Sequence, residues 1–240
     1  TSGWISPMPR WWAGLALAVF PVVAHAQTVQ CHIPSVLQRP APIVPRTGEA
    51  RPNLPVGGYT LALSWSPEHC AQRYDNRHDT QCSGTIGSFG FILHGLWPEG
   101  TGRNWPQFCR PAAVLPREVI AANLCVMPSA QLMQHQWAKH GTCVTARPQE
   151  YFDIARRLYQ QIRLPDMAAL ARNPRLTAGG LLLAVAARNP GMKPDMMRVR
   201  ATRDGWLDEI WICLDRRYAR TSCPAHKGGM RAAAPVRIRL

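Results

Sequence analysis

The stretch Tyr59-Thr60-Leu61-Ala62-Leu63-Ser64-Trp65 sets the framework of the fold. Its odd-numbered positions are large and apolar, and its even-numbered positions are small or polar. This alternation predicts a strand with one buried face, which ends at Pro67. Residues 88–94 alternate in the same way and predict a second strand that ends at His94. The residues that follow, 98–111, are predicted to form an irregular loop.

The rest of the chain mixes further strands with helices. Two alternating segments, 196–202 and 206–214, flank the turn sequence Arg203-Asp204-Gly205 and predict a hairpin. Residues 236–240 alternate and predict an edge strand. Apolar residues at helical spacing predict helices at about 114–124, from an N-cap at Ser129 to about 140, at 148–162 and at 177–187. Because strand and helix do not alternate strictly, the order favours an α+β fold, with a central antiparallel β-sheet packed with several helices.

Composition limits the classes of protein to which the chain can belong. It has 240 residues, which is enough for one good-sized domain or two small ones. A hydrophobic content of 46% excludes wholesale disorder, and a single long apolar run excludes a polytopic membrane protein. The formal net charge of +14 indicates a polyanionic partner, either nucleic acid or an acidic membrane surface.

The first 56 residues are predicted to lie outside the compact domain. Residues 1–26 resemble a secretory signal peptide, with an apolar run at 11–23 and a small-x-small cleavage pattern before Gln27. The alternative is an uncleaved anchor, although the run is short for a membrane span. Residues 27–56 hold six prolines and predict an extended arm or linker before a catalytic domain at 57–240. We therefore expect a periplasmic or secreted protein, without stable membrane association once the signal is removed.

The cysteines agree with export. There are eight of them, and an even number in an exported chain predicts four disulfides. The C-x2-C spacing that would favour a zinc site instead is not present. Eight cysteines allow about 105 pairings, so spacing leaves the connectivity open. The pairs closest in sequence, Cys70/Cys82 and Cys213/Cys223, are the simplest candidates.

Histidines concentrate in two segments. His94 ends the second predicted strand, on the face opposite its large apolar residues. The second segment holds His135, Gln136, Lys139 and His140, which fall within an arc of about 140° on a helix. A core histidine and a solvated helix face are the ordinary alternatives. Apolar neighbours share the arc, which favours a cleft wall over a solvated face.

These polar groups suit an anion better than a metal ion. His135 and His140 are five residues apart, a poor spacing for joint ligation on a helix, and Lys139 between them would repel a cation. A lysine with several imidazoles describes a phosphate site in which two imidazoles can exchange protons near neutral pH. In RNA, one imidazole would activate the 2′-hydroxyl and another would protonate the departing 5′-oxygen. We therefore expect no metal or cofactor and no cleavage of DNA, which lacks this nucleophile.

Two segments are similar to the active-site segments of the ribonuclease T2 family: His94-Gly95-Leu96-Trp97-Pro98 and His135-Gln136-Trp137-Ala138-Lys139-His140-Gly141-Thr142-Cys143. Residues 59–67 with Cys70 resemble that family's first core strand, and the similarity covers about residues 57–225. The resemblance implies an α+β fold with a central antiparallel sheet, a secreted and acid-tolerant enzyme, and a 2′,3′-cyclic phosphate intermediate.

The resemblance also assigns roles to single residues. His94 and His140 match the acid–base pair, with His140 favoured as the base and His94 as the acid. His135 matches the histidine that binds phosphate, and Lys139 matches the cation that stabilises the transition state. The implied disulfides are Cys109–Cys143, Cys70–Cys82 and Cys213–Cys223, which leaves Cys31–Cys125 by elimination.

Three further residues are expected to contact the substrate. Trp97 and Glu99 match family positions that help to hold a base, and Trp65 is the third candidate. Since stacking on an aromatic ring tolerates any base, low base specificity is expected. The RNA-cleaving protein is expected to be a monomer.

One position departs from the family pattern. The family has Glu after the first histidine of the second segment, and this chain has Gln136. Glutamine keeps an acceptor oxygen but lacks the charge that would raise the pKa of nearby imidazoles. A slowed ribonuclease is therefore predicted, unless another carboxylate compensates. The alternative is a catalytically weakened, cationic RNA-binding or toxin-like protein on the same scaffold.

Overall fold

The structure is a computed structural model that describes residues 1–2, 30–72 and 79–240. Apart from its first two residues, the predicted signal segment 1–26 lies outside the described residues. Part of the loop between Cys70 and Cys82 also lies outside them.

The described residues form two antiparallel sheets. The strands are β1 (Gln30–Cys31), β2 (Val56–Trp65), β3 (Gly87–Ser88), β4 (Phe91–Gly100), β5 (Met197–Ala201) and β6 (Leu207–Leu214). The central sheet has four strands in the order β4-β2-β6-β5, and β1 pairs with β3 beside it. The predicted strand at 59–65 and the predicted hairpin are therefore confirmed.

Six α-helices occur in the same part of the chain: α1 (Ser66–Ala71), α2 (Arg117–Asn123), α3 (Ala130–Lys139), α4 (Pro148–Gln160), α5 (Met167–Ala171) and α6 (Ala178–Arg188). Ser129 caps α3 as predicted, since its hydroxyl accepts a hydrogen bond from the amide of Leu132 at 3.2 Å. The five-residue helix α5 was not predicted, because it is too short for a helical period to show.

The two faces of the central sheet have different roles. One face is apolar and forms the core with α4 and α6, where Leu61, Leu63 and Leu93 are at most 1% exposed. The hydroxyls of Tyr151 and Tyr159 fix α4 to β4 by donating hydrogen bonds to backbone carbonyls. Because side chains alternate across a strand, the other face of β2, β4 and β6 is left for polar and functional groups.

Strand β4 corrects two predictions at once. It does not end at His94 but continues to Gly100, so the predicted loop at 98–111 begins later. The register pairs Leu63 with Leu93 and Ala62 with Gly95, which makes His94 the extra residue of a β-bulge. Pairing continues through Pro98 because β4 is an edge strand, where a missing amide donor is tolerated.

The predicted edge strand at 236–240 is wrong. This segment makes one isolated parallel bridge, between Trp206 and Arg237, and no strand. Val236 and Ile238 are nevertheless buried, so their alternation reflects packing against the domain and not membership of the sheet.

The arm at residues 30–56 packs along the domain. The disulfide Cys31–Cys125 ties its start to the segment after α2. Gln131 on α3 exchanges hydrogen bonds with the backbone of Ala41. The amide of Arg51 donates to the carbonyl of Gln107 at 2.8 Å. The arm therefore reaches the region of the chain that precedes the second histidine segment.

All eight cysteines are paired. The three disulfides implied by the family resemblance are present: Cys70–Cys82, Cys109–Cys143 and Cys213–Cys223. Cys31–Cys125 is the fourth, as elimination predicted. Among the described residues, no helix combines the length and apolar character that crossing a membrane requires.

Candidate active site

A cleft of about 410 Å³ opens on the polar face of the sheet, between β4, β6 and the end of α3. The following predicted site residues line it: His94, Trp97, Glu99, His135, Gln136, Lys139 and His140. Two segments far apart in the sequence are thus brought to one place. The cleft also holds groups that the sequence did not reveal: Arg103, Trp105, Trp211, His226 and Lys227.

The end of α3 presents the second histidine segment to the cleft. The helix ends at Lys139, and His140 follows with a non-helical φ of −113°. Gly141 comes next because a Cβ there would lie 2.5 Å from the ring of Trp137 and 2.9 Å from that of Tyr151. The disulfide Cys109–Cys143 then holds the turn. The glycine and the disulfide together fix the backbone that carries His140.

His94 is aimed into the cleft by the β-bulge and held from behind by Glu209. The Nδ1 atom of His94 makes a hydrogen bond with the Glu209 carboxylate. The other carboxylate oxygen accepts a hydrogen bond from Trp211 Nε1 at 2.6 Å. Burial acts to raise the pKa of Glu209, but its bonds to His94 and Trp211 outweigh it, so the pKa is lowered. Glu209 is therefore ionised near neutral pH.

Glu209 was not among the site residues predicted from the sequence. It lies on β6, which carries neither histidine segment, and it is separated from His94 by 115 positions. The alternation of the segment 206–214 does place Glu209 on the strand face opposite the buried Ile210 and Ile212. Strand pairing was needed to show which histidine it meets.

Trp97 connects the two histidine segments. Its ring centre lies 5.2 Å from that of His94 and 5.6 Å from that of His140. Its indole nitrogen donates to Oε1 of Gln136 at 2.8 Å. A Cβ on Gly95 would lie only 2.2 Å from that same oxygen, so a larger residue here would have to displace the Gln136 amide. Trp97 therefore sets the spacing of the two histidines as well as facing the cleft.

His140 is in a setting quite unlike that of His94. It is 7% exposed, and its Nδ1 atom is buried without a hydrogen-bond partner among the described residues. Burial, followed by the charges of Lys139, His135 and His94, holds its pKa well below the usual imidazole value. The pKa of His135 is also lowered, by burial and then by Lys139 and His94. Both rings on the α3 side are therefore neutral near pH 7.

Cationic groups surround the same space. Lys139 lies 3.7 Å from the carboxylate of Glu49, which comes from the arm. Lys227 forms an ion pair with Glu99, and the Thr60 hydroxyl donates to the same carboxylate at 2.6 Å. Burial lowers the pKa of Lys227, with Glu99 acting in the opposite direction. Glu99 is thus held by two partners at the side of the cleft.

Trp65 is not brought to the cleft. It is 4% exposed, packs 4.8 Å from Phe91 in ring-centre distance, and donates to the carbonyl of Arg239 at 2.8 Å. The alternation that predicted β2 already places Trp65 on the apolar face with Leu61 and Leu63, and that face packs into the core. Trp105, which is 40% exposed, is the aromatic residue at the rim of the cleft instead.

One cluster among the described residues has the spacing of a metal site, and it consists of His69, Asp79 and Cys82. None of the three lines the cleft. Cys82 is engaged in a disulfide with Cys70, which removes its thiolate as a ligand. The histidines of the cleft are accompanied by Lys139 and Lys227, a composition that favours a bound anion.

The fold agrees with what comparison with known proteins finds. The model of the Ribonuclease T2 family matches residues 56–223. The chain belongs to the ribonuclease T2 family. The family and the fold class predicted from the sequence are confirmed.

Two bacterial members of the T2 family illustrate the similarity. A probable ribonuclease of Haemophilus influenzae is 32% identical over 181 residues, which are 70% of this chain and 61% of that protein. A ribonuclease of Aeromonas hydrophila is 35% identical over 164 residues, or 66% and 71% of the two chains. The chain thus spans about three fifths of the Haemophilus protein and more of the Aeromonas protein.

Solved structures share the fold at lower identity. RNase NT in complex with 5′-AMP matches with a TM-score of 0.60 and 19% identity, over 77% of this chain and 98% of that one. Trichomaglin, an S-like ribonuclease, matches with a TM-score of 0.62 and 19% identity, over 76% and 98%. These similarities support the T2 architecture described above.

Proposed function

We propose that the protein is a metal-independent endoribonuclease that cleaves single-stranded RNA through a 2′,3′-cyclic phosphate. The observation that carries this proposal is the convergence of His94, His135, His140 and Lys139 on one cleft. The two rings assigned to proton transfer both lie beside Trp97, within 6 Å of its ring centre. Membership of the T2 family supports the same reaction.

His140 acts as the general base in the first step. A base must be neutral before reaction, and burial among cations keeps the pKa of His140 low. Its Nδ1 atom is buried, so Nε2 is the atom that takes the proton from the 2′-hydroxyl. The 2′-oxygen then attacks phosphorus and forms the cyclic phosphate as the bond to the 5′-oxygen breaks.

His94 acts as the general acid in that step. It donates the proton that the departing 5′-oxygen needs, and its carboxylate partner favours the charged imidazolium. Lys139 and His135 face the non-bridging phosphate oxygens, where negative charge grows in the transition state. In the second step the roles reverse: His94 activates water, and His140 protonates the 2′-oxygen as the cyclic ester opens.

The substrate class follows from this chemistry and from the lining of the cleft. DNA is not cleaved because it lacks the 2′-hydroxyl. Trp97 and Trp105 offer aromatic surfaces to bases, which supports low base specificity. Glu99, held by Lys227 and Thr60, lies at the same end of the cleft and supplies an acceptor for base edges.

The protein acts outside the cytoplasm in this proposal, in the periplasm or after secretion. Four disulfides join the described residues, and disulfides persist in oxidising compartments. The net charge of +14 favours binding to a polyanion such as RNA.

The test is incubation of the purified protein with RNA in the presence of EDTA. We expect cleavage to continue, and mass spectrometry to find fragments that end in 2′,3′-cyclic phosphate. His94→Ala and His140→Ala should each reduce cleavage by orders of magnitude while the protein still unfolds in one cooperative thermal transition. A single-stranded DNA of the same sequence should stay intact.

Two outcomes would contradict this function. If EDTA alone stopped cleavage, proton transfer between two histidines would not be the mechanism. If RNA stayed intact but remained bound, the weakened RNA-binding protein that Gln136 raises as an alternative would be favoured.

A further inference from the structure

We propose that Glu209 is the positioning residue of the general acid, holding His94 in the tautomer and charge state that donate a proton to the leaving oxygen. This inference rests on the proposed function and extends it to a strand that carries neither histidine segment.

The first argument is geometric. Glu209 pairs with Ser64 of β2, and on the far side of β2 the bulged residue of β4 is His94. Ser64 and Glu209 are both on the polar face of the sheet, and they lie one strand and two strands away from His94, respectively. The bulge turns the His94 ring back over β2, so that its Nδ1 meets the Glu209 carboxylate.

The second argument concerns the hydrogen bonds of the carboxylate. An ionised carboxylate only accepts hydrogen bonds, so the Nδ1 atom of His94 must carry a hydrogen. Nε2 is then the nitrogen left to face the cleft and exchange a proton with the substrate. The second oxygen of Glu209 is fixed by Trp211 Nε1 at 2.6 Å, and the residue is 8% exposed. The carboxylate therefore cannot rotate away without losing a buried hydrogen bond.

The third argument concerns charge. His94 must be positively charged when it donates, although His135, His140 and Lys139 face it from α3 and Lys227 lines the same cleft. On the sheet side the charged groups are Asp208 and Glu209 on β6 and Arg200 on β5. Of these, Glu209 is the one in contact with the ring. Its charge opposes that of the cations and stabilises the imidazolium.

Trp211 and Arg200 complete the support around the carboxylate. The Arg200 guanidinium carbon lies 4.8 Å from the centre of the Trp211 ring, and that ring meets Trp97 edge-on at 5.5 Å. Trp97 in turn contacts His94. The carboxylate, the two indoles and the imidazole form a closed set of contacts, which explains how a charge can be kept in a fixed place beside the substrate.

The test compares two substrates of the same nucleoside in Glu209→Gln. One is a dinucleotide, whose 5′-oxygen needs a proton to leave. The other is a nucleoside 3′-(4-nitrophenyl) phosphate, whose leaving group departs without one. We expect kcat for the dinucleotide to fall by about 10- to 1,000-fold, which is part of the roughly 10²- to 10⁴-fold that general acid catalysis contributes, because the acid itself remains. Cleavage of the aryl ester should change by less than about threefold, because no acid is required there.

Two variants serve as controls. Asp208→Asn removes the same charge from the neighbouring residue of β6, which makes no hydrogen bond to the His94 ring, and should leave both rates within about twofold of the wild type. His94→Ala should show the same selective loss as Glu209→Gln.

The outcomes separate the inference from the function on which it rests. Equal losses on both substrates in Glu209→Gln, with a selective loss in His94→Ala, would show that Glu209 is merely structural and overturn the inference. Equal losses on both substrates in His94→Ala would overturn the assignment of His94 as the acid. An unchanged dinucleotide rate in a folded Glu209→Gln protein would likewise overturn the positioning role.

Discussion

His94 and His140 face one cleft but are built in opposite ways. His94 sits on a strand bulge with its side chain 30% exposed and a carboxylate on its Nδ1 atom. His140 sits at a helix end, 7% exposed, with cations around it and no partner on Nδ1 among the described residues. Identical side chains are therefore given opposite electrostatic surroundings, a carboxylate beside one and cations beside the other, which is how one residue type can supply both an acid and a base.

The difference also shows where the chain departs from its family. The carboxylate expected beside the second histidine segment is missing, because Gln136 occupies its position. A carboxylate is present instead beside the first segment, at Glu209. His94 thus has a close anionic partner, whereas the segment of His140 has an uncharged amide at Gln136.

The most direct test of the difference between His94 and His140 is to remove each ring in turn. His140→Ala should lower kcat by about 10²–10⁴-fold on both the dinucleotide and the aryl ester, since each reaction must deprotonate the 2′-hydroxyl. His94→Ala should show that loss on the dinucleotide alone. Steady-state kinetics on the two substrates measure the contrast.

A reversed result would exchange the two roles. If His140→Ala spared the aryl ester while His94→Ala impaired it, His94 would be the base, and burial would not have decided the assignment. Circular dichroism of both variants is the control for folding, because His140 is buried and its truncation leaves a cavity.

A milder substitution tests the effect of the missing negative charge near His140. Gln136→Glu keeps the oxygen that accepts from Trp97 and adds a negative charge near His140. Because burial and neighbouring cations lower the pKa of His140, an added carboxylate should raise it. A neutral base is needed, so the acid limb of the kcat profile should move to higher pH.

The rate at the optimum should rise in the same variant. Restoring the family carboxylate is expected to increase kcat by about fivefold, because the hydrogen bond to Trp97 is already made and only the charge is new. Glu118→Gln, on an exposed position of α2, is a control for altered net charge and should leave the profile in place. An unchanged or lower kcat in Gln136→Glu would mean that the amide is the better group at this buried position.

Sequence reasoning worked where function depends on local pattern. Three features could be predicted because each depends on residues close together in the sequence. They are the alternation at 59–65, the cap at Ser129 and the arc of His135 to His140. The first histidine segment was also found, but its geometry was not. A bulge inserts a residue without any change in composition, so the alternation is interrupted at His94 and does not predict that the strand continues beyond it.

What could not be predicted depended on contacts between distant segments. Glu209 and Trp211 belong to a strand that was correctly predicted, yet nothing in that strand shows that it lies two places from β4 in the sheet. Glu49 lies in an arm whose path could not be inferred from its prolines. The prediction that Trp65 contacts the substrate was wrong, and the sequence already indicates why: Trp65 falls on the same strand face as Leu61 and Leu63, which is buried in the core.

The smallest expected effect concerns the arm. Glu49 is the nearest carboxylate to Lys139, at 3.7 Å, and a hydrogen bond from the backbone of Arg46 is the main cause of its lowered pKa. The carbonyl of Glu49 accepts a hydrogen bond from Gln107 at 2.5 Å, which fixes the turn beside the cleft. The arm therefore places a carboxylate near Lys139, but this carboxylate is distant and partly exposed.

Glu49→Gln distinguishes two roles for that anion. If it competes with phosphate for Lys139, its removal should lower KM for RNA by no more than about threefold at low salt, because partly exposed ion pairs are weak. The difference should shrink as salt rises, since screening weakens the pair and substrate binding alike. If Glu49 instead replaces the missing family carboxylate, kcat should fall and KM should stay constant. Measuring both constants at two salt concentrations decides between them, and the weak 3.7 Å contact favours the change in KM.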